Sequence, residues 1–140
     1  MNTVIVRSLA MLCLVAGLSS ICLMAQGPIQ VTVPFDFTIG SKSFPSGDYV
    51  VRSGMAHTVL AIQSVDGQSA AMTLTTPLYG RNESGGARLI FNRYGDRYFL
   101  SQVWANGSEG RELSRSTSEK ELIAKTKSTK SVALVASSRE

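Results

Sequence analysis

From Ile29 the apolar residues alternate without a miss through Val31, Val33, Phe35, Phe37 and Ile39, with Gln30, Thr32, Pro34, Asp36 and Thr38 between them. A period of two over residues 29–39 describes a β-strand with a single buried face, and it does not fit a helical stripe. Pro34 has no amide hydrogen, so the strand is expected at a sheet edge, or at a bulge, near that point. Phe44-Pro45-Ser46-Gly47-Asp48 then reads as a turn, and Tyr49 opens a second strand.

Two later turn signals set register. Asp66-Gly67 separates residues 58–65 from residues 68–75 and signals a two-residue hairpin with both turn positions at positive φ. Counting outward pairs Val65 with Gln68, Gln63 with Ala70, Ala61 with Met72 and Val59 with Leu74. That mostly apolar face is expected to meet the core, leaving Leu60, Ile62, Ser64, Ala71, Thr73 and Thr75 on a semi-polar face. Gly95-Asp96 separates ARLIFNRY from RYFLSQVW. Unbroken alternation puts Ala87, Leu89 and Phe91 on one face with Tyr98, Leu100 and Trp104, and sets Arg93 opposite Tyr98. An Arg93 guanidinium over the Tyr98 ring would contribute about 0.5–1 kcal/mol if exposed. This hairpin holds the only tryptophan and is read as the centre of the core.

Residues 80–86 (GRNESGG) form a loop, and residues 105–110 a glycine-rich turn. SRSTSEKELIAKTK follows with helix formers and two overlapping capping-box matches, Ser116 with Glu119 and Ser118 with Glu121. SVALVA, residues 131–136, reads as a last short strand. Seven strand candidates with short, turn-rich links predict an all-β fold. The expected form is an antiparallel meander making a small barrel or sandwich, with one short C-terminal helix and an N-terminal signal helix. Barrel closure would bring the last strand beside the first.

The first 25 residues, MNTVIVRSLAMLCLVAGLSSICLMA, read as a secretory signal: Arg7 precedes the uncharged residues 8–25, which end on a small residue, Ala25. An uncleaved anchor is the alternative, because a span needs about 20 apolar residues. Either outcome places residues 26–140 outside the cytoplasm, as a periplasmic, outer-envelope-associated or extracellular protein. Domain organisation is therefore expected as a signal peptide (1–25), an antiparallel β-domain body (26–110) and a basic helix plus final strand completing the domain (111–140). Both cysteines, Cys13 and Cys22, lie in the signal, so the exported part has no thiol for a disulfide or a metal.

Charge narrows the partners. Residues 26–110 carry six basic and six acidic side chains, whereas residues 111–140 carry seven basic against four acidic. A neutral body excludes nucleic acid, whose binders neutralise phosphates with a basic face. The basic C-terminal segment could make weak contact with anionic lipid or cell-wall polymer, and its removal would then release the protein from the envelope at low salt.

The catalytic inventory is nearly empty. The exported part has a single histidine, His57, which excludes a zinc site and leaves serine chemistry without a GxSxG elbow. No phosphate or dinucleotide loop precedes a helix, so no cofactor is expected. Asp66 and Asp96 are explained by their turns and Asp48 by a strand entry. Asp36, between Phe35 and Phe37, has no such explanation. The candidate ligand or surface contacts are Asp36, Arg93, Tyr98 and Trp104, with no catalytic, cofactor-binding or metal residue assigned.

Together VPFDFTIG, FPSGDYVV, LIFNRYGDRYFLSQVW and GRELSRSTSEKEL, in this order over residues 31–123, resemble a group of small exported proteins of Acidobacteria. The resemblance implies a secreted or envelope-associated β-domain with a short helix near its end, and it carries over no functional residue. The leading expectation is a non-enzymatic exported domain that binds an envelope component, a partner protein or a small apolar ligand held inside a barrel. The alternative is a small carboxylate-dependent glycan hydrolase. An outer-membrane barrel fits less well, since its apolar bands would face lipid.

Overall fold

The computed structural model describes residues 27–54, 58–81, 85–126, 128–135 and 137–138. The expected signal segment, with Arg7, Cys13, Cys22 and Ala25, and His57 lie outside the described residues. Most of the described chain is β-strand, with one short helix, and no described helix is long and apolar enough to cross a membrane. The strands are β1 (Ile29–Val33), β2 (Phe37–Ile39), β3 (Lys42–Phe44), β4 (Gly47–Ser53), β5 (Val59–Ser64), β6 (Ala70–Tyr79), β7 (Arg88–Tyr94), β8 (Arg97–Trp104) and β9 (Glu109–Leu113). Helix α1 (Thr117–Lys125) follows, then β10 (Lys130–Val135) and β11 (Ser137–Ser138).

Neighbouring strands run in the order β10-β7-β8-β9-β6-β5-β4-β1-β11, and the β2–β3 hairpin joins through a parallel pairing of β2 with β8. Two stretches of chain serve different neighbours with different halves. β6 pairs with β5 through residues 70–74 and with β9 through residues 75–79. The last segment pairs with β7 as β10 and with β1 as β11, where Ile29 lies opposite Ser138.

The opening alternation is two strands and not one. β1 ends at Val33 and pairs with β4, and β2 resumes at Phe37 beside β8. Pro34 cannot donate to a ladder, so the chain changes partners there. The alternation survives because Val33 and Phe37 both point into the same core. Asp36 thus lies outside any strand, exposed, with Oδ1 accepting the Ser46 N–H at 2.8 Å.

Packing of aromatic rings fills the interior. Phe37 stands edge-on to Tyr49 (centroids 5.0 Å apart) and to Phe91 (5.4 Å), and it stacks on Phe44 (5.3 Å). Val33, Val51, Ile62 and Leu89 close around them, all buried. Each such side chain contributes roughly 1.5–3 kcal/mol by leaving water.

The β7–β8 hairpin keeps the expected tip register, Arg93 opposite Tyr98, but a register shift between Ile90 and Phe91 breaks the alternation. Beyond it Val103 lies opposite Leu89, and Trp104 lies opposite Arg88. A bulge adds a residue to one strand and moves every later side chain to the other face. Trp104 is therefore not part of the main core, contrary to expectation. Its ring has the Arg88 guanidinium 4.7 Å from its centroid and lies close against Gly110 in β9.

β9 was not anticipated, because GREL lacks the alternation of a strand. It forms where Gly110 lets the indole lie against the backbone. A Cβ there would sit 2.5 Å from Trp104 Cδ2. Gly110→Ala is expected to destabilise by about 1–3 kcal/mol through overpacking, measured by urea denaturation; an unchanged midpoint would contradict this account of the ring.

Helix α1 uses the first of the two capping signals: Ser116 Oγ accepts the Glu119 N–H at 3.2 Å. The Glu119 carboxylate is buried and reaches across to the outer face of β7, accepting from Tyr94 Oη at 3.0 Å and Asn92 Nδ2 at 3.4 Å. Burial, and next the adjoining Glu119, push the Tyr94 hydroxyl above its ordinary pKa. The last strand forms close to its expected bounds, as β10. β9 runs across residue 110, and β10 and β11 pair with β7 and β1.

Candidate functional site

The β5–β6 hairpin folds with the expected register but a different turn. Ser64 N–H donates to Ser69 O (2.8 Å) and Gly67 N–H to Ser64 O (2.9 Å), which makes residues 65–68 the loop. Only Gly67, at φ +76°, takes positive φ there; no described non-glycine residue does. Asp66 contributes its side chain instead, accepting from Ser64 Oγ and the Gln68 N–H. The hydrogen bond from Ser64, then that from Gln68, holds the Asp66 carboxyl below the usual carboxylate range. Gln63 still faces Ala70, Ala61 faces Met72 and Val59 faces Leu74, because a four-residue and a two-residue loop centred on the same pair leave the same pairing.

The face that turns inward is the reverse of the one expected. Leu60 and Ile62 are 3% and 2% exposed, with Ser64 and Thr75 also buried, while Met72 and Leu74 stand 74% and 69% exposed and Val65 64%. The cause lies one strand away. Rows across the sheet join Arg52 of β4 to Ala61 and Met72, and join Val51 to Ile62 and Ala71. Burying the Met72 face would carry Arg52 and Gln63 inside, and an unpaired buried guanidinium costs far more than leaving two apolar side chains in water. The larger apolar surface of β6 is therefore presented to solvent, beside half-buried Val59 and Ala61 and exposed Arg52.

Among the four sequence candidates, Arg93 and Tyr98 do come together. The guanidinium lies 5.4 Å from the ring centroid, and the ring is also stacked on Phe35 at 3.8 Å. Arg93 Nε also donates to Gly95 O at 2.7 Å, so the pair also braces the hairpin tip. Asp36 adjoins this stack only through its neighbour Phe35, and its carboxylate serves the Ser46 amide. Trp104 is at the far end of β8. Met72 and Leu74 were passed over as core residues. The signal that finds them is Arg52, once β4 is set beside the hairpin.

A shallow groove between the β3–β4 and β5–β6 turns brings Asp48 and Asp66 to one surface. Asp48 accepts from Thr32 Oγ1 and Asp66 from Ser64 Oγ, so each carboxylate already has a structural partner. Among the described residues no three His, Cys, Asp or Glu side chains are grouped to hold a metal. Comparison with family models, with curated proteins and with solved structures finds no match for this chain.

Proposed function

We propose that this chain is an exported, non-enzymatic β-domain that binds a partner protein through the outer face of β5 and β6. The observation that carries the reading is the pair Met72 and Leu74, 74% and 69% exposed on adjacent same-face positions of one strand. Contiguous apolar surface of this kind is the usual signature of a docking face, and large unbranched or branched side chains such as these supply its contact area. Export follows from the basic start, apolar run and small closing residue of residues 1–25. The likeness to exported acidobacterial proteins agrees with it.

The same reading takes the sheet as a closed barrel. Its support is that β10 and β11, the two ends of the strand order, are successive segments of chain separated by residue 136 alone. Closure by one shared strand removes both edges. Filling of the interior by Phe37, Phe44, Tyr49 and Phe91 favours surface binding over an internal ligand. For a glycan hydrolase, one carboxyl would have to be held protonated by a raised pKa, and Asp66 is moved the other way.

Replacing both side chains, Met72→Ser with Leu74→Ser, is expected to leave stability within about 0.5 kcal/mol of wild type, because the change is on the surface. Retention by the isolated envelope fraction, measured by co-sedimentation, should fall by about tenfold or more. Undiminished retention by a folded double variant would refute the reading.

A further inference from the structure

β6 has a different neighbour in each half, β5 along residues 70–74 and β9 along residues 75–79. Along residues 70–74 it has β5 on one side, and among the described residues no strand pairs with the other. The direction of its backbone groups follows from two hydrogen bonds: Thr75 N–H donates to Thr58 O and Ser64 N–H to Ser69 O, both at 2.8 Å. In an antiparallel ladder, residues alternate between bonding to the neighbour and pointing away. Ala71 and Thr73 therefore bond to β5, and Ala70, Met72 and Leu74 aim their N–H and C=O groups at the open side. Lys42 Nζ marks that direction by donating to Ala70 O at 2.7 Å.

The open stretch has a cation at each end. Lys42 stands at Ala70. Beyond Leu74, β9 leaves β6 after Leu113, and a groove lined by Thr76, Glu112, Leu113, Ser114, Arg115 and Lys120 continues the line of the edge. Arg115 and Lys120 outnumber Glu112 there. Between the two basic ends lie the exposed side chains of Met72 and Leu74.

We infer that this edge receives an extended segment of a partner protein as an added strand, with apolar side chains at alternate positions and a carboxylate near each end. The inference rests on the partner-binding reading and specifies how binding occurs. Main-chain hydrogen bonds to Met72 and Leu74 supply affinity, and alternate side chains lying beside them supply selectivity. A second copy of this chain is the wrong occupant on charge. A two-fold axis through Met72 would set Ala70 opposite Leu74 of the other copy, bringing Lys42 toward the other copy's Arg115 and Lys120, and such like-charge juxtaposition is costly.

The test uses full-length exported protein and the peptide acetyl-Glu-Val-Thr-Val-Thr-Val-Glu-amide, with amide hydrogen exchange read by NMR. Saturating peptide should slow exchange at Met72 and Leu74 by about tenfold or more and leave Ala71 and Thr73 unchanged. The same peptide with lysine at both ends should bind about tenfold more weakly or worse. Met72→Pro removes an N–H that faces the open side, where a strand tolerates proline, and should abolish binding that Met72→Ala retains. The inference is overturned by no binding at millimolar peptide, by binding without slowed exchange at Met72 and Leu74, or by equal losses in the two variants. It is also overturned if exchange there slows with protein concentration alone, which would assign the edge to a second copy. If any of these occurs while the Met72→Ser, Leu74→Ser variant still loses envelope retention, strand addition fails and the partner-binding face stands.

Discussion

Removing residues 128–140 is expected to abolish the cooperative unfolding transition of this domain. β10 lies along β7 over six successive positions, from Lys130 opposite Arg93 to Val135 opposite Arg88, and β11 continues onto β1. Val132 stands opposite Phe91 and Leu134 opposite Leu89, with Leu134 packed against the core. Truncation would expose those side chains and leave two strands with unpaired edges. Residues 26–140 contain no cysteine, so no disulfide can compensate, and the whole stability of a domain this size is only about 5–15 kcal/mol. Far-ultraviolet circular dichroism through a thermal ramp should show no sigmoidal transition for the truncated chain. A transition within a few degrees of wild type would mean that the last strand is dispensable. Truncation also cannot test contact with anionic surfaces, because it destroys the fold; substitution of exposed Lys120 and Lys125 on α1 is the suitable route.

The second large effect is at Phe91, which is 0% exposed. Its ring meets Phe35 edge-on at 5.1 Å and Phe37 at 5.4 Å, joining β7 to the segment that follows Pro34. Phe91→Ala would leave a cavity between strands that are distant in sequence, and a destabilisation of about 3–5 kcal/mol is expected. Urea denaturation measures it as a fall in the midpoint at unchanged slope. A loss below about 1 kcal/mol would show that the site collapses freely, contrary to the interlocked packing described.

Those two results depend on long-range pairings that the sequence discloses unevenly. Asp66-Gly67 and Gly95-Asp96 each locate a turn, and both hairpin registers near the tips follow from them. A local pattern suffices there because pairing partners are close in the chain. The helix cap at Ser116 and the last strand were legible for the same reason. Strands that owe their existence to distant partners were not. β9 is a strand because Gly110 accommodates Trp104 and because β6, some thirty residues earlier, lies along it. The bulge at Ile90 and the change of partner at Pro34 both preserve the apolar pattern while breaking its geometric meaning.

The inward face of the β5–β6 hairpin is hidden from the sequence by the same gap. Within the β5–β6 hairpin, the face bearing Val59, Met72 and Leu74 is the more apolar, and hydropathy alone sends it inward. The outcome is decided by Arg52 on β4, whose row runs through Ala61 to Met72. Arg93 and Tyr98 illustrate the converse: their proximity is a hairpin-tip contact and was legible, yet a stacked Phe35 and a bond to Gly95 show that it also serves the fold.

The partner-binding account is tested most directly by placing a photo-crosslinking amino acid at position 72 in the native host, with the same group at exposed Arg97, beside the β7–β8 turn, as the comparison. The account predicts one discrete adduct from position 72 and none from position 97. No adduct from either position, or the same adducts from both, would contradict it.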